Sequence, residues 1–132
     1  REISDAVLYD LDGDGREELA VIEGFHGNCV SVSKQGANGW EKVWETSIAF
    51  GHALWAGKIK DRNCLLVGDR REKQELCLYD FTDGFINPAK QVIGNGGPSQ
   101  IGVYPGQTGA QILSADGEKG EAVLYILKEE ER

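Results

Sequence analysis

Short apolar runs separated by polar and glycine-rich segments recur along the whole chain. They are mostly four to seven residues long and rich in Val, Ile, Leu, Tyr and Trp, as in "ELAVIEG" (18–24), "CLLVGDR" (64–70) and "QILSADG" (111–117). Runs of this length and composition are typical of β-strands. The chain has 18 glycines and three prolines, which favours many turns between strands. The pattern therefore predicts an all-β fold.

These runs repeat with a period of about 46 residues. A related run precedes each of the three above, namely "DAVLYDL" (5–11), "HALWAGKI" (52–59) and "SQIGVYPG" (99–106). Another follows each of them, namely "NCVSVSK" (28–34), "LCLYDF" (76–81) and "AVLYIL" (122–127). A fourth run closes the first two repeats, as "WEKVWETSI" (40–48) and "AKQVI" (89–93). We interpret residues 1–132 as one domain with repeats 5–51, 52–98 and 99–132, the last of which is incomplete.

Four antiparallel strands in about 46 residues is the period of a β-propeller blade. A prism-like or sandwich arrangement of hairpins is the alternative. Because a propeller ring has about four to eight blades, three repeats predict either a fragment of a larger propeller or a half-ring that a homodimer completes. Trp40 and Trp44 are an even number of residues apart, so we expect them to share one strand face and to pack between blades.

An acidic loop joins the first two runs of repeat 1. Its sequence, "DLDGDGREE" (10–18), places carboxylates at loop positions 1, 3, 5 and 9. The candidate side-chain ligands are Asp10, Asp12, Asp14 and Glu18. Gly15 permits a sharp bend that would bring a backbone carbonyl, expected to be that of Arg16, toward the same centre. Hard oxygen donors in this number suit Ca²⁺ better than a transition metal, so the loop predicts one calcium ion. A metal-free Asp-Gly turn is the alternative.

The loop does not fit an EF-hand, which needs flanking helices and a bidentate Glu at position 12. Position 12 is Val21, inside an apolar run. The sequence "DLDGDGREELAV" instead resembles the calcium loop of FG-GAP and VCBS-type repeats, the blades of integrin-α-like propellers, in which Leu19 also matches. The "FG" of Phe50 and Gly51 resembles the entry into such a blade. The resemblance implies a structural, non-catalytic ion in a divergent bacterial-type repeat.

Only repeat 1 carries the complete acidic pattern. The equivalent loops of the other repeats read "KIKDRN" (58–63) and "PGQTGA" (105–110), with one acidic residue and none. We therefore expect a single calcium ion in the chain.

Charge and motifs exclude several classes of function. The formal net charge is −8 and the sequence has no run of Lys and Arg, so nucleic acid is not an expected partner. No segment is long and apolar enough for a membrane span. Neither a GxSxG nor an HExxH motif is present. The chain contains no methionine, and we expect it to be a processed or excised product.

The turns that enter each repeat would lie near the axis of a propeller. They make Asp5, His52 and Gln100 candidates for a ligand-binding face that could bind a protein, peptide or glycan. Ordinary solvated loops are the alternative. We expect a non-enzymatic, calcium-stabilised binding or scaffold module of a secreted or cell-surface protein, with a lipid anchor as one form of surface attachment. The alternative is part of a propeller enzyme, such as a polysaccharide lyase or hydrolase, whose catalytic residues lie partly outside this chain.

The three cysteines, Cys29, Cys64 and Cys77, lack the CxxC spacing of a zinc site. A hairpin that turns midway between Cys64 and Cys77 would place the two side chains opposite one another. The sequence then allows either a disulfide or two packed thiols at this position.

Overall fold

The computed structural model describes residues 3–24, 27–105, 109–116 and 119–128. These residues form strands and no helix, which confirms the all-β prediction. The strands are β1 (Ile3–Tyr9), β2 (Glu18–Glu23), β3 (Cys29–Gly36), β4 (Gly39–Ser47), β5 (Gly51–Ile59), β6 (Arg62–Asp69), β7 (Leu76–Asp80), β8 (Ala89–Gly94), β9 (Pro98–Pro105), β10 (Gly109–Asp116) and β11 (Glu121–Lys128). Within the part of the chain that the structure describes, no helix has the length and apolar character needed to cross a bilayer.

The strands form three antiparallel sheets, each built from strands that are consecutive in the chain. Strands β1–β4 form the first sheet, β5–β8 the second and β9–β11 the third. Within the described residues the third sheet has three strands, as the sequence pattern predicts. The first strands of the three sheets, β1, β5 and β9, are neighbours in space.

The second sheet lies between the other two and is buried on both faces. Alternation along β6 shows how: Leu65 and Val67 pack toward the first sheet, whereas Cys64 and Leu66 pack toward the third. A strand that is covered on both faces requires a continuous apolar run, and "CLLV" (64–67) supplies it. Two apolar layers therefore hold the three sheets together.

The layer between the first two sheets includes an aromatic cluster. The ring of Trp44 lies 4.9 Å from that of Tyr79 and 5.0 Å from that of Phe81, edge to face in both cases. Trp40, in contrast, is about half exposed. The prediction that Trp40 and Trp44 share a face is wrong because the pairing of β3 with β4 shifts between Val32 and Ser33. Such a bulge adds one residue and reverses the alternation beyond it.

Carboxylate to backbone hydrogen bonds link one sheet to the next. Asp5 of β1 accepts a hydrogen bond from the amide of Leu54 in β5, at 3.0 Å. Asp69, at the end of β6, accepts hydrogen bonds from the amides of Ala49 (3.3 Å) and Phe50 (3.0 Å), which connect the first sheet to the second. These side chains fix the position of each sheet relative to its neighbour at the end where the first strands begin.

Removal of the Asp69 carboxylate should weaken this link. We expect Asp69→Ala to lower the free energy of unfolding by about 2 kcal/mol, because partly buried amides lose a charged acceptor. Chemical denaturation measures the change. Asp83→Ala is the matched control, since its ion pair with Arg62 is at the surface and its loss should change stability by less than about 0.5 kcal/mol. Equal effects of the two substitutions would contradict the assignment.

The structure does not place Cys64 opposite Cys77. Cys64 pairs with Asp80, and Cys77 pairs with Val67. The two thiols project from opposite faces of the second sheet, so a disulfide between them is excluded, and all three cysteines are free. The expected position was wrong because the hairpin turns around Glu72, not midway between the cysteines.

Thiol titration checks this register. The unfolded protein should show three reactive thiols under non-reducing conditions. In the folded protein Cys64 should react slowly, since it is buried and its burial raises the pKa of the thiol to about 11. A single reactive thiol in the unfolded protein would indicate the disulfide that the structure excludes.

Candidate metal centre

The acidic loop connects β1 to β2, and its carboxylates organise its own backbone. Asp10 accepts hydrogen bonds from the amides of Asp14 (3.1 Å) and Gly15 (2.8 Å). Asp12 Oδ1 accepts from the Asp14 amide at 3.2 Å, and Asp14 Oδ1 accepts from the Arg16 amide at 2.9 Å. Gly15 has a φ of 88°, a conformation that glycine adopts without strain. The Oδ2 atoms of Asp12 and Asp14 make none of these backbone hydrogen bonds.

Glu18, the first residue of β2, lies at the end of the loop and contacts its beginning through hydrogen bonds. The residue is only 1% exposed. Its Oε1 accepts hydrogen bonds from the amides of Leu11 (2.7 Å) and Asp12 (3.2 Å), whereas its buried Oε2 has no hydrogen-bond partner. Burial raises the pKa of Glu18. A buried carboxylate oxygen of this kind is costly unless a cation compensates it.

The four carboxylates converge on one point. Each offers an oxygen atom, and these atoms all lie within 4.8 Å of one another in the set Asp10, Asp12, Asp14 and Glu18. This arrangement can hold a metal ion, and a donor set made only of oxygens fits a hard cation. Arg16 contacts the cluster through its amide. Coordination by its carbonyl stays a prediction.

Lys34 of β3 places its ammonium group among these carboxylates. Its Nζ lies 2.5 Å from Asp12 Oδ2, 2.7 Å from Asp14 Oδ2 and 3.8 Å from Glu18 Oε2. The hydrogen bond from Lys34 is the main cause that lowers the pKa of Asp14 to about 2. The hydrogen bonds to Asp12 and Asp14 in turn raise the pKa of Lys34. The ammonium therefore stands where a bound cation would neutralise the same oxygens.

Lys34 is not among the candidate residues named from the sequence, although the alternation of apolar side chains along β3 places it on the inward face. Val30 and Val32 point into the layer between the first and second sheets, and Lys34 follows them at the same spacing. A lysine in such a row needs a partner for its charge. The acidic loop was the nearest candidate in the predicted hairpin.

The metal centre also touches the second sheet. Leu11, inside the loop, is completely buried in the layer between the first two sheets. Lys34 Nζ lies 5.7 Å from the centre of the Phe85 ring, which belongs to the β7–β8 connection. A change in the conformation or charge of the loop can therefore alter the packing between the first and second sheets.

The three candidates for a ligand-binding face lie in different settings. The carboxylate of Asp5 is engaged by the Leu54 amide. His52 is exposed and donates from Nδ1 to the carbonyl of Ser99 at 2.9 Å, beside a cavity that Ser4, Gly27 and Phe50 also line. Gln100 is exposed on the face of the third sheet that points away from the second. A ligand-binding role for each of them stays a prediction.

Comparison of the chain with models of protein families, with curated proteins and with solved structures gave no match. The resemblance to FG-GAP and VCBS-type repeats therefore rests on the loop residues, the "FG" of Phe50 and Gly51 and the 46-residue period.

Substitution of Lys34 should separate its competition with calcium from its stabilisation of the calcium-free loop. We expect Lys34→Met to raise the calcium affinity about tenfold, because the competing positive charge is gone. The melting temperature without calcium should fall, since the carboxylates lose their counter-charge. Isothermal titration and thermal denaturation measure both.

Lys42→Met provides the matched control. Lys42 pairs with Glu23 and Glu45 on the opposite face of the first sheet, away from the loop. Its loss should leave calcium affinity unchanged. Equal calcium affinity of the wild type and Lys34→Met would show that the ammonium does not compete for the cation position.

Proposed function

We propose that residues 10–18 bind one Ca²⁺ as a structural ion in a non-enzymatic binding or scaffold module. The observation that carries the proposal is the convergence of Asp12 Oδ2, Asp14 Oδ2 and Glu18 Oε2 on one cation position that Lys34 now fills. The loop backbone is already hydrogen-bonded into a compact shape, so binding requires little further ordering.

Calcium in this position would displace the ammonium and bind several oxygens at once. A calcium ion takes about six to eight oxygen ligands, and the four carboxylates supply four or more of them. The Arg16 carbonyl and water would complete the shell. The ion would compensate the buried Oε2 of Glu18 and fasten the end of β1 to the start of β2. We expect calcium binding to raise the stability of the fold, because the metal centre belongs to the β1–β2 hairpin and contacts the second sheet.

The proposed architecture is a series of propeller blades. Three observations support it: the sheets follow one another in chain order, their first strands are neighbours, and the middle sheet is covered on both faces. Together with the loop pattern, they favour a divergent FG-GAP or VCBS-type repeat protein. Loops of such a module would present the binding surface for a protein, peptide or glycan.

An extracellular or cell-surface location follows from the proposed ion. Weak calcium loops of extracellular modules have dissociation constants on the order of 0.1 to 1 mM. Calcium outside cells would keep a site of this affinity filled, whereas cytosolic calcium would not.

Calcium titration tests the proposal directly. The chelator-treated protein should bind one equivalent of calcium, and its melting temperature should rise by several degrees, on the order of 5 °C at saturation. Glu18→Gln should reduce the affinity at least about tenfold, because the site loses one negative ligand. The absence of both heat and stabilisation in the wild type would end the proposal.

Glu17→Gln is the matched control. Glu17 is the neighbouring, exposed acid of the same loop and lies outside the cluster of four. Its loss should leave the stoichiometry and affinity close to those of the wild type. If Glu17→Gln and Glu18→Gln weakened binding equally, the loop would attract calcium through its general charge and not through a built site.

A further inference from the structure

The third sheet exposes an apolar face that points away from the second sheet. The strand pairing places Leu113 opposite Leu124, and Gln111 opposite both Tyr104 and Ile126, on this outer face of the third sheet. Four of these side chains are about half exposed, namely Tyr104, Leu113, Leu124 and Ile126. Between Gln100 and Ile126, the outward positions of β9–β11 carry no charged residue. A contiguous apolar sheet face of this kind indicates an interaction surface.

The repeat shows what such a face contacts. Leu124 is 46 residues after Leu78, and Leu113 is 47 residues after Leu66. Leu78 and Leu66 are 7% and 0% exposed because the third sheet covers them, whereas Leu124 and Leu113 are 51% and 40% exposed. The outer face of the third sheet is therefore equivalent to a face that a following sheet of the same repeat covers.

The first sheet exposes the complementary face. Leu19 and Val21 of β2 lie 46 residues before Leu65 and Val67, the side chains with which the second sheet covers the first. Leu19 is partly exposed, whereas Val21 is only 8% exposed. Leu8 pairs with Leu19 on this outer face of the first sheet and is about half exposed. This face is thus equivalent to the one that covers a preceding sheet.

Trp40 lies on the same face, because the bulge in β4 turns it outward beside Gln35. Its ring is about half exposed. Aromatic side chains of this size are frequent anchors of protein interfaces. The ion pairs of Lys42 with Glu23 and Glu45 also stand on this face and make it more polar than the outer face of the third sheet. The apolar side chains of this face lie mainly on β1 and β2, whereas the outward positions of β3 and β4 are mostly polar apart from Trp40. Protein interfaces commonly combine apolar and polar areas in this way.

We infer that two copies of this chain associate head to tail, with the outer face of the third sheet of one copy against the outer face of the first sheet of the other. The contact continues the packing that joins the first sheet to the second and the second to the third. Because each copy offers one face of each kind, two copies can form the contact twice and close a ring of six sheets. Leu8 and Trp40 line one pocket with Glu18 and Lys34 of the metal centre, so association and calcium affinity are measured as two separate quantities.

Sedimentation velocity over a wide range of protein concentration tests the inference. The wild type should form a species of twice the 14.4 kDa of one chain. Leu124→Glu and Leu8→Glu should each weaken association at least about 100-fold, because every contact in either variant would bury an unpaired charge. Ile86→Glu is the matched control, since Ile86 is 89% exposed in the β7–β8 connection, outside both faces.

Mixing Leu8→Glu with Leu124→Glu tests whether the two copies associate head to tail. Leu8→Glu keeps an intact outer face on the third sheet, and Leu124→Glu keeps one on the first sheet. Their mixture should give a 1:1 complex through one contact, while each variant alone stays monomeric. A wild type that is monomeric at every concentration would overturn the inference. So would a Leu8→Glu dimer, which would indicate that the third sheets pair with each other.

Folding of each variant is checked independently by circular dichroism and by thermal denaturation. A variant with the wild-type spectrum and a cooperative thermal transition is folded. If a variant fails this check, Leu124→Gln or Leu8→Gln replaces it. These neutral substitutions should still weaken association, and wild-type association of a folded Gln variant would contradict the inference.

Discussion

Four carboxylates crowded into one loop repel each other unless a cation lies between them. In this structure the ammonium of Lys34 fills that role, and the buried Oε2 of Glu18 remains without a hydrogen bond. The constraint extends beyond the loop. Leu11 buries the loop against the second sheet, and Lys34 belongs to a strand of the first sheet. The charge balance of residues 10–18 therefore bears on the junction between two sheets.

The rest of the fold depends on covering apolar sheet faces. The second sheet has a neighbour on each side, and its β6 strand is apolar in both directions, with Leu65 and Leu66 fully buried. The outer sheets have one neighbour each within the chain, so each retains an exposed face with large apolar side chains. The same periodic sequence that makes the middle of the chain stable thus makes its two end faces candidates for association.

The sequence alone predicted the strands and the acidic cluster. Both the alternation of apolar and polar residues and the 46-residue period are visible in the sequence without knowledge of how the strands pair. Predictions from the sequence failed where a shift of one residue changes the pairing register between two strands. A bulge in β4 separates Trp40 from Trp44, and a hairpin that turns away from the midpoint puts Cys64 and Cys77 on opposite faces. Lys34 was missed because its role arises from pairing between strands, which brings it across to a loop about 20 residues earlier in the chain.

A crystal structure of the calcium-saturated protein, with anomalous scattering to locate the ion, tests the central claim most directly. The account predicts one calcium at the position of the Lys34 ammonium, with oxygens of Asp10, Asp12, Asp14 and Glu18 about 2.3 to 2.6 Å away and the lysine side chain displaced. An ammonium that still bridges Asp12 and Asp14 at saturating calcium, with no ion in the loop, would contradict it.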